Sequence, residues 1–215
     1  AINRRHAMGL IGASTLPVAG CMTSVEEAAP SRALPSFDYR EIYGAKADGK
    51  YTMRALPVDS FDPVYLRQAV PNSRGQVPGS IIVSTPERLL YYAVDADHVL
   101  RFGVSVGKEG LLWKGKAVVG RKARWPRWTP PAEMIERQPE LEVYKEGMDG
   151  GPQNPLGARS IYLYQNGRDT LYRVHGSPQF RSIGRAASSG CIRMLNQDVA
   201  FLYQKVKMGA PVLVE

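Results

Sequence analysis

A mainly β fold, sandwich or barrel, is expected from this sequence for three reasons. Runs of β-branched and aromatic residues with a two-residue period recur between residues 81 and 174. Glycine, proline, asparagine and aspartate punctuate those runs as turn signals. Beyond residue 78 only two stretches, near 131–138 and 197–208, carry helix start and stop signals. At 215 residues, 44% hydrophobic and 22% charged, the chain can bury one substantial core and carry an extension. It contains no internal repeat.

Residues 1–20 read as an export signal. Arg4 and Arg5 precede an apolar, small-residue stretch from Ala7 to Gly20, too short to span a bilayer. Leu16-Pro17-Val18-Ala19-Gly20-Cys21 resembles a lipobox, in which Cys21 would become the acylated N-terminus and lipid anchor. The alternative is a plain secretory signal cut near Ala19 or beyond, with Cys21 incidental. The paired arginines also suggest twin-arginine export, but the residues after them fit that pattern poorly. Residues 21–36, rich in Glu, Ala, Pro and Ser from Val25 onward, read as a flexible tether. Residues 37–77 read as an N-terminal extension packed on the main domain. They hold a turn at Asp48-Gly49 and one short helix over Asp62–Gln68, capped by Asp62 with Pro63 at its first position.

The main domain runs from 78 to 215. Ile81-Ile82-Val83 and Arg88–Ala93 are strands separated by Ser84-Thr85-Pro86-Glu87. Leu100, Phe102, Val104 and Val106 alternate with Arg101, Gly103 and Ser105, and Lys116–Lys122 forms a further strand. Ile161–Tyr164 and Thr170–Val174 flank Asn166-Gly167, a hairpin turn. The first helix, Pro131–Gln138, is closed by Pro139. The second, about Gln197–Met208, has Asn196 as N-cap, Asp198 in its first turn, Val199, Leu202 and Val206 on one face and Gly209 past its end.

With 28 basic against 20 acidic residues the net charge is +8, which favours polyanionic partners: nucleic acid, anionic lipid or an acidic wall polymer. No Lys/Arg run has the length of a nucleic-acid arm, so nucleic acid is the weakest of the three.

The chemistry narrows quickly. There are two cysteines, and if Cys21 carries lipid, Cys191 is left as a free thiol in an exported protein. Such a thiol is either an inert small hydrophobe or a used nucleophile. Of three histidines, His6 lies in the signal and His98 follows Asp95-Ala96-Asp97 in a turn, which leaves His175. His175 ends the strand Tyr172-Arg173-Val174 and precedes Gly176; Cys191 follows sixteen positions later, at a turn-to-strand junction within Ser188–Met194. An imidazole beside the thiol would take its proton. Backbone N–H groups of Ser189, Gly190 and Cys191 could hold the oxyanion of a tetrahedral intermediate, at about 3 kcal/mol for one such donor. Zinc would need three or four ligands, and the sequence offers only two plausible nitrogen or sulfur donors, so no metal or other cofactor is expected. Spacing alone does not decide between an inert and a catalytic Cys191.

His175-Gly176 followed by Ser188-Ser189-Gly190-Cys191-Ile192-Arg193 resembles the signature of the L,D-transpeptidases, the YkuD-type catalytic domains. The similarity covers about Pro78–Glu215 and includes Trp125–Pro131, Met148–Pro152 and Asn154–Arg159. One departure is Ser189, where the family often has histidine. The resemblance implies a β-sandwich-like catalytic domain with two short helices, working in the periplasm on peptidoglycan. Cys191 would be the nucleophile and His175 the general base, with the backbone carbonyl of Gly176 orienting the imidazole. The thiolate would attack an L-centred diamino acid, usually meso-diaminopimelate, in a tetrapeptide stem. D-Ala would leave, and an amine would resolve the thioester. The acceptor would be a second stem, giving a 3-3 cross-link, or an outer-membrane protein; water would give hydrolysis instead. Arg193 would hold a substrate carboxylate or the active-site loop, with a structural ion pair as the alternative. Arg181 and Arg185 are candidates for meeting the anionic stem, or else a solvated rim. Trp125 and Trp128 would wall or cover the cleft, or else pack in the core. A non-catalytic wall-binding lipoprotein is the reading of another class.

Overall fold

The computed structural model describes residues 34–108, 113–188 and 190–215. The proposed export signal, Cys21, most of the tether and Ser189 lie outside the described residues. Along the chain come α1 (Tyr39–Ile42), β1 (Lys46–Asp48), β2 (Tyr51–Met53), β3 (Gln68–Pro71), β4 (Ile81–Ser84), β5 (Leu89–Ala93), β6 (His98–Gly107) and β7 (Gly115–Arg124). Then follow α2 (Ala132–Arg137), β8 (Arg159–Gln165), β9 (Arg168–Gly176), β10 (Ala186–Ser188), β11 (Ile192–Met194), α3 (Asn196–Lys205) and β12 (Pro211–Val214). The fold is mainly β.

The long strand β6 organises the sheet. Its first half pairs with β5, from Ala93↔Val99 to Leu89↔Gly103, and its second half with β11, through Met194↔Val104 and Arg193↔Ser105. Because β11 then pairs with β9, β9 with β8, β8 with β7, β7 with β12, β12 with β4 and β4 with β5, the strands close into a ring. Closure leaves few free edges to blunt. Side chains alternate along each strand. Phe102, Val104, Ile161, Leu163, Val174, Ile192 and Met194 are buried in the main core with Val199, Leu202 and Val206. The residues between them face the other way, and Arg173, His175 and Arg193 are among these.

Residues 39–67 are tied to α3 by buried polar groups. The Tyr43 hydroxyl donates to Asp198 at 3.0 Å and accepts the Arg67 N–H, while the Arg67 guanidinium meets Asp198 at 2.9 Å and lies over the Phe201 ring. Gln197 Nε2 donates to the carbonyls of Gly44 and Arg54.

Local structure departs from the sequence reading in three places. Asp62 does cap Pro63, but only a 3-10 turn over Pro63–Tyr65 forms, because Leu66 turns to extended backbone and Gln68 starts β3 opposite Arg101. The second helix stops at Lys205, where Val206 becomes extended. Asn196 is its first helical residue rather than its cap, since its side chain is engaged elsewhere. Strands β1, β2, β3, β4, β10, β11 and β12 have three or four residues each, too short to show a period of two.

Candidate active site

Parallel pairing of β9 with β11 sets Ile192 beside Val174 and Arg193 beside His175. Cys191 lies at the bend just before β11, so continuing the same register places it next to Arg173. Four side chains, Arg173 and His175 on one strand and Cys191 and Arg193 at the other, therefore occupy one patch opposite the core.

His175 is buried, with 4% of its surface exposed, and its Nδ1 donates to the Gly176 carbonyl at 2.6 Å. A carbonyl can only accept, so Nδ1 carries the hydrogen and Nε2 keeps its lone pair. Gly176 is required sterically: a Cβ there would collide with Asn196 Oδ1. That Asn196 accepts from the Ala158 N–H at 2.9 Å and donates to the Ser177 carbonyl at 3.2 Å, fixing the chain on either side of the imidazole's partner. Burial, then the charges of Arg193 and Arg173, hold the His175 pKa down at about 3 against the pull of the Gly176 bond. The imidazole is neutral at physiological pH.

The Cys191 sulfur donates to the Leu171 carbonyl at 3.8 Å, and no hydrogen bond joins it to His175 among the described residues. Burial pushes the thiol pKa up, and Arg173 and Arg193 pull it down. Leu171 sits in the left-handed region, with φ of 64°, inside an irregularity where β9 runs from Arg173 to Asp169 while β8 runs only from Tyr162 to Tyr164. Gly190, at φ of 122°, donates its N–H to Ser188 Oγ at 3.3 Å, and Ser189, the other flanking amide, lies outside the described residues.

His175, Cys191 and Arg193 line a cleft of about 250 Å³ whose facing wall includes Trp128, Met134 and Leu141. Arg193 makes no ion pair among the described residues; its guanidinium donates to Gln179 Oε1 at 3.1 Å. Trp128 and Trp125, grouped by sequence, separate in space. Trp128 pairs with Met148 and faces the cleft. Trp125 instead donates its indole N–H to Asp48 at 2.8 Å and packs on Tyr51, Met53 and Ala158, so it is an anchor for the β1–β2 hairpin and not a lid. Arg181 and Arg185 are exposed and do not line the cleft; the Arg181 guanidinium lies over the Phe180 ring. The remaining described histidine, His98, meets Asp95 in the turn before β6. Sequence reasoning passed over Arg173, whose place two residues before His175 on a strand already put it on the same face. It also passed over Asn154, fully buried, whose side chain donates to the carbonyls of Pro126, Met148 and Asp149 and so fixes the cleft edge.

A neutral imidazole with a fixed tautomer, a thiol and a guanidinium on one cleft can perform acyl transfer through a thioester. Comparisons with known proteins point the same way. The sequence profile of the YkuD family, described as the L,D-transpeptidase catalytic domain, matches residues 78–214. The protein named "Probable L,D-transpeptidase YbiS" of Escherichia coli strain K12 is 35% identical over 139 residues, 62% of this chain and 43% of its own length. "Probable L,D-transpeptidase ErfK/SrfK" of the same strain is 36% identical over 138 residues, again 62% and 43%. The chain thus spans less than half the length of these relatives. A crystal structure from Brucella melitensis, described as a probable carnitine operon oxidoreductase caia, has 46% sequence identity and a TM-score of 0.50 over 70% of this chain and 94% of that one. Its description differs from the names of the two curated relatives, which agree with the family profile.

Proposed function

The chain belongs to the YkuD family of L,D-transpeptidase catalytic domains, and from that membership we propose that it acylates Cys191 with a peptidoglycan tetrapeptide stem and passes the acyl group to an amine. The observation that carries this reading is the common cleft of His175 and Cys191, with the imidazole held in a single tautomer by Gly176. In the proposed reaction the thiol rotates from the Leu171 carbonyl toward His175 Nε2, which takes its proton. The sulfur attacks the stem carbonyl, and the C–N bond to D-Ala breaks as His175 returns the proton to the departing amine. A second amine then enters by the reverse sequence.

Arg193 fits a carboxylate of the stem, since it reaches the cleft with no acidic partner among the described residues. The side chains of Trp128, Met134 and Leu141 on the facing wall limit water at the thioester, which favours an amine acceptor over hydrolysis. Residues 78–215 are the catalytic domain in this reading, and 37–77 an extension braced on it. The acceptor is a second stem, forming a 3-3 cross-link, or an outer-membrane protein; the place of action is the periplasm, with Cys21 as the lipid anchor.

Incubation with disaccharide-tetrapeptide, followed by intact-protein and product mass spectrometry, tests the proposal. The expected result is an adduct on Cys191 equal to the stem minus D-Ala, cross-linked dimer in solution, and neither with Cys191→Ala. Tripeptide without dimer would reassign the enzyme as a carboxypeptidase. Stem binding without any Cys191 adduct would leave a non-catalytic wall-binding protein and overturn the proposal.

A further inference from the structure

Cysteine nucleophiles are usually activated as a thiolate paired with an imidazolium. In this site burial and two guanidinium groups disfavour the imidazolium, so a second positive charge beside the sulfur would help to hold the developing thiolate. The geometry offers one. The side chain of Arg173 lies on the face shared with His175, beside the bend that carries Cys191. Its Nη1 donates to the Leu171 carbonyl, the same oxygen to which the Cys191 sulfur donates. The guanidinium is held from behind by Asp169 at 3.6 Å and by the Tyr162 ring, 4.7 Å from its centroid. Its positive charge pulls the Cys191 thiol pKa down against burial, ahead of that of Arg193. Cys191 lines the cleft and Arg173 does not, so the cation backs the sulfur without competing for substrate.

We propose that Arg173 is a catalytic residue of this site, a fixed cation that stabilises the Cys191 thiolate while His175 accepts the proton. The inference rests on the reading of Cys191 as the nucleophile. In the step concerned the S–H bond breaks, the proton passes to His175 Nε2, and the sulfur lone pair forms the C–S bond. Arg173 keeps all its protons, as a guanidinium does in proteins. The β-bulge around Leu171 is what makes the arrangement possible, because it turns a carbonyl of β9 toward the bend and gathers the thiol and the guanidinium on one oxygen. Among the described residues, the charged groups that act on the sulfur are Arg173 from β9 and Arg193 from β11; Met134, Gln138 and Leu141, which also line the cleft, are uncharged.

The test reads the thiol itself. The rate of Cys191 alkylation by iodoacetamide, followed by mass spectrometry across a pH series on the whole chain, gives the midpoint of thiolate formation. Arg173→Gln is expected to raise that midpoint by about one unit or more, lowering the neutral-pH rate about tenfold. Arg173→Lys is expected to recover most of the loss, which a purely structural role for the Tyr162 stack would not allow. Asp169→Asn removes the charge shared with Arg173 but keeps the acceptor for the Leu171 N–H, and is expected to shift the midpoint down. This second variant decides the matter if Arg173→Gln fails to fold. Unchanged midpoints in folded Arg173→Gln, or in Asp169→Asn where that is the only folded variant, would overturn the proposal. Because no stem peptide enters the assay, failure of the transpeptidase reading would show separately as absent Cys191 acylation beside a shifted alkylation midpoint.

Discussion

Acid should destabilise this protein through His175, and the size of the effect follows from its surroundings. The folded chain binds the imidazole proton only near pH 3, whereas the ordinary value is 6.5. Between those values the unfolded chain holds more protons, so stability is fully present above about pH 6.5 and falls as pH drops toward 3. Each unit of difference is about 1.4 kcal/mol, so lowering the pH from about 7.5 to about 4 should cost about 3 kcal/mol through this group alone. The neutral variant His175→Gln lacks the term. Urea unfolding of both proteins at the two pH values, read by tryptophan fluorescence, gives a double difference in which other groups cancel. Asp198, whose carboxyl is pushed up by burial despite Arg67, is common to both proteins and drops out. A wild-type advantage that shrinks by about 3 kcal/mol between neutral and acid supports a histidine buried in its neutral form. A double difference within about 0.5 kcal/mol of zero would refute it, because a solvated imidazole has nothing to lose on protonation.

Other outcomes are expected from the same geometry. Arg67→Ala strands the Asp198 carboxylate, which is fully buried, and should cost about 3–5 kcal/mol in urea unfolding at neutral pH. Gly176→Ala drives a methyl into Asn196 and should abolish Cys191 acylation while Cys191 remains open to iodoacetamide. Asp48→Ala removes a carboxylate held down near pKa 2, chiefly by the Arg159 hydrogen bond and also by Trp125 and Arg124; it should expose the β1–β2 hairpin to limited proteolysis. Met134→Ser with Leu141→Ser should raise the ratio of tripeptide to dimer in the stem assay by several-fold, as water gains entry.

How far the sequence could be read depended on the range of the interactions involved. Strand β6 alternates long enough for its period to show, the β-branched and aromatic runs of β4 and β5 mark them as strands, and Asn166-Gly167 turns with both residues at positive φ, as that dipeptide favours. His175 and Cys191 emerged by elimination among three histidines and two cysteines, because chemistry needs residue types that this chain uses sparingly. Trp125 and Trp128 could not be sorted that way. Three residues apart, they differ only in that one finds Asp48, a partner 77 positions away, and the other finds the cleft. The closure of the sheet was equally hidden, since it depends on β11, three residues long, adding to β6. Arg181 and Arg185 looked like neighbours of the site because the chain passes them between His175 and Cys191. The 3-10 turn Phe180–Ser182 carries Arg181 to the surface, and the bend before β10 does the same for Arg185.

The first three residues of α3 show why the extension and the site cannot be independent. Asn196 holds Ala158 and the Ser177 carbonyl around Gly176, the residue that orients His175. Gln197 holds the carbonyls of Gly44 and Arg54, and Asp198 holds Tyr43 and Arg67. Arg54 in turn donates to the Pro178 carbonyl at 2.7 Å and covers Phe180, so the extension also grips the loop after His175 directly. Loops that carry catalytic groups need a rigid support, since small displacements of a base relative to a nucleophile cost large factors in rate. A helix supplies that support best at its first turn, where three consecutive side chains diverge to three different neighbours while the backbone stays fixed. The extension therefore acts as part of the site's scaffold, and loosening it would be felt at the imidazole before it was felt in the main core.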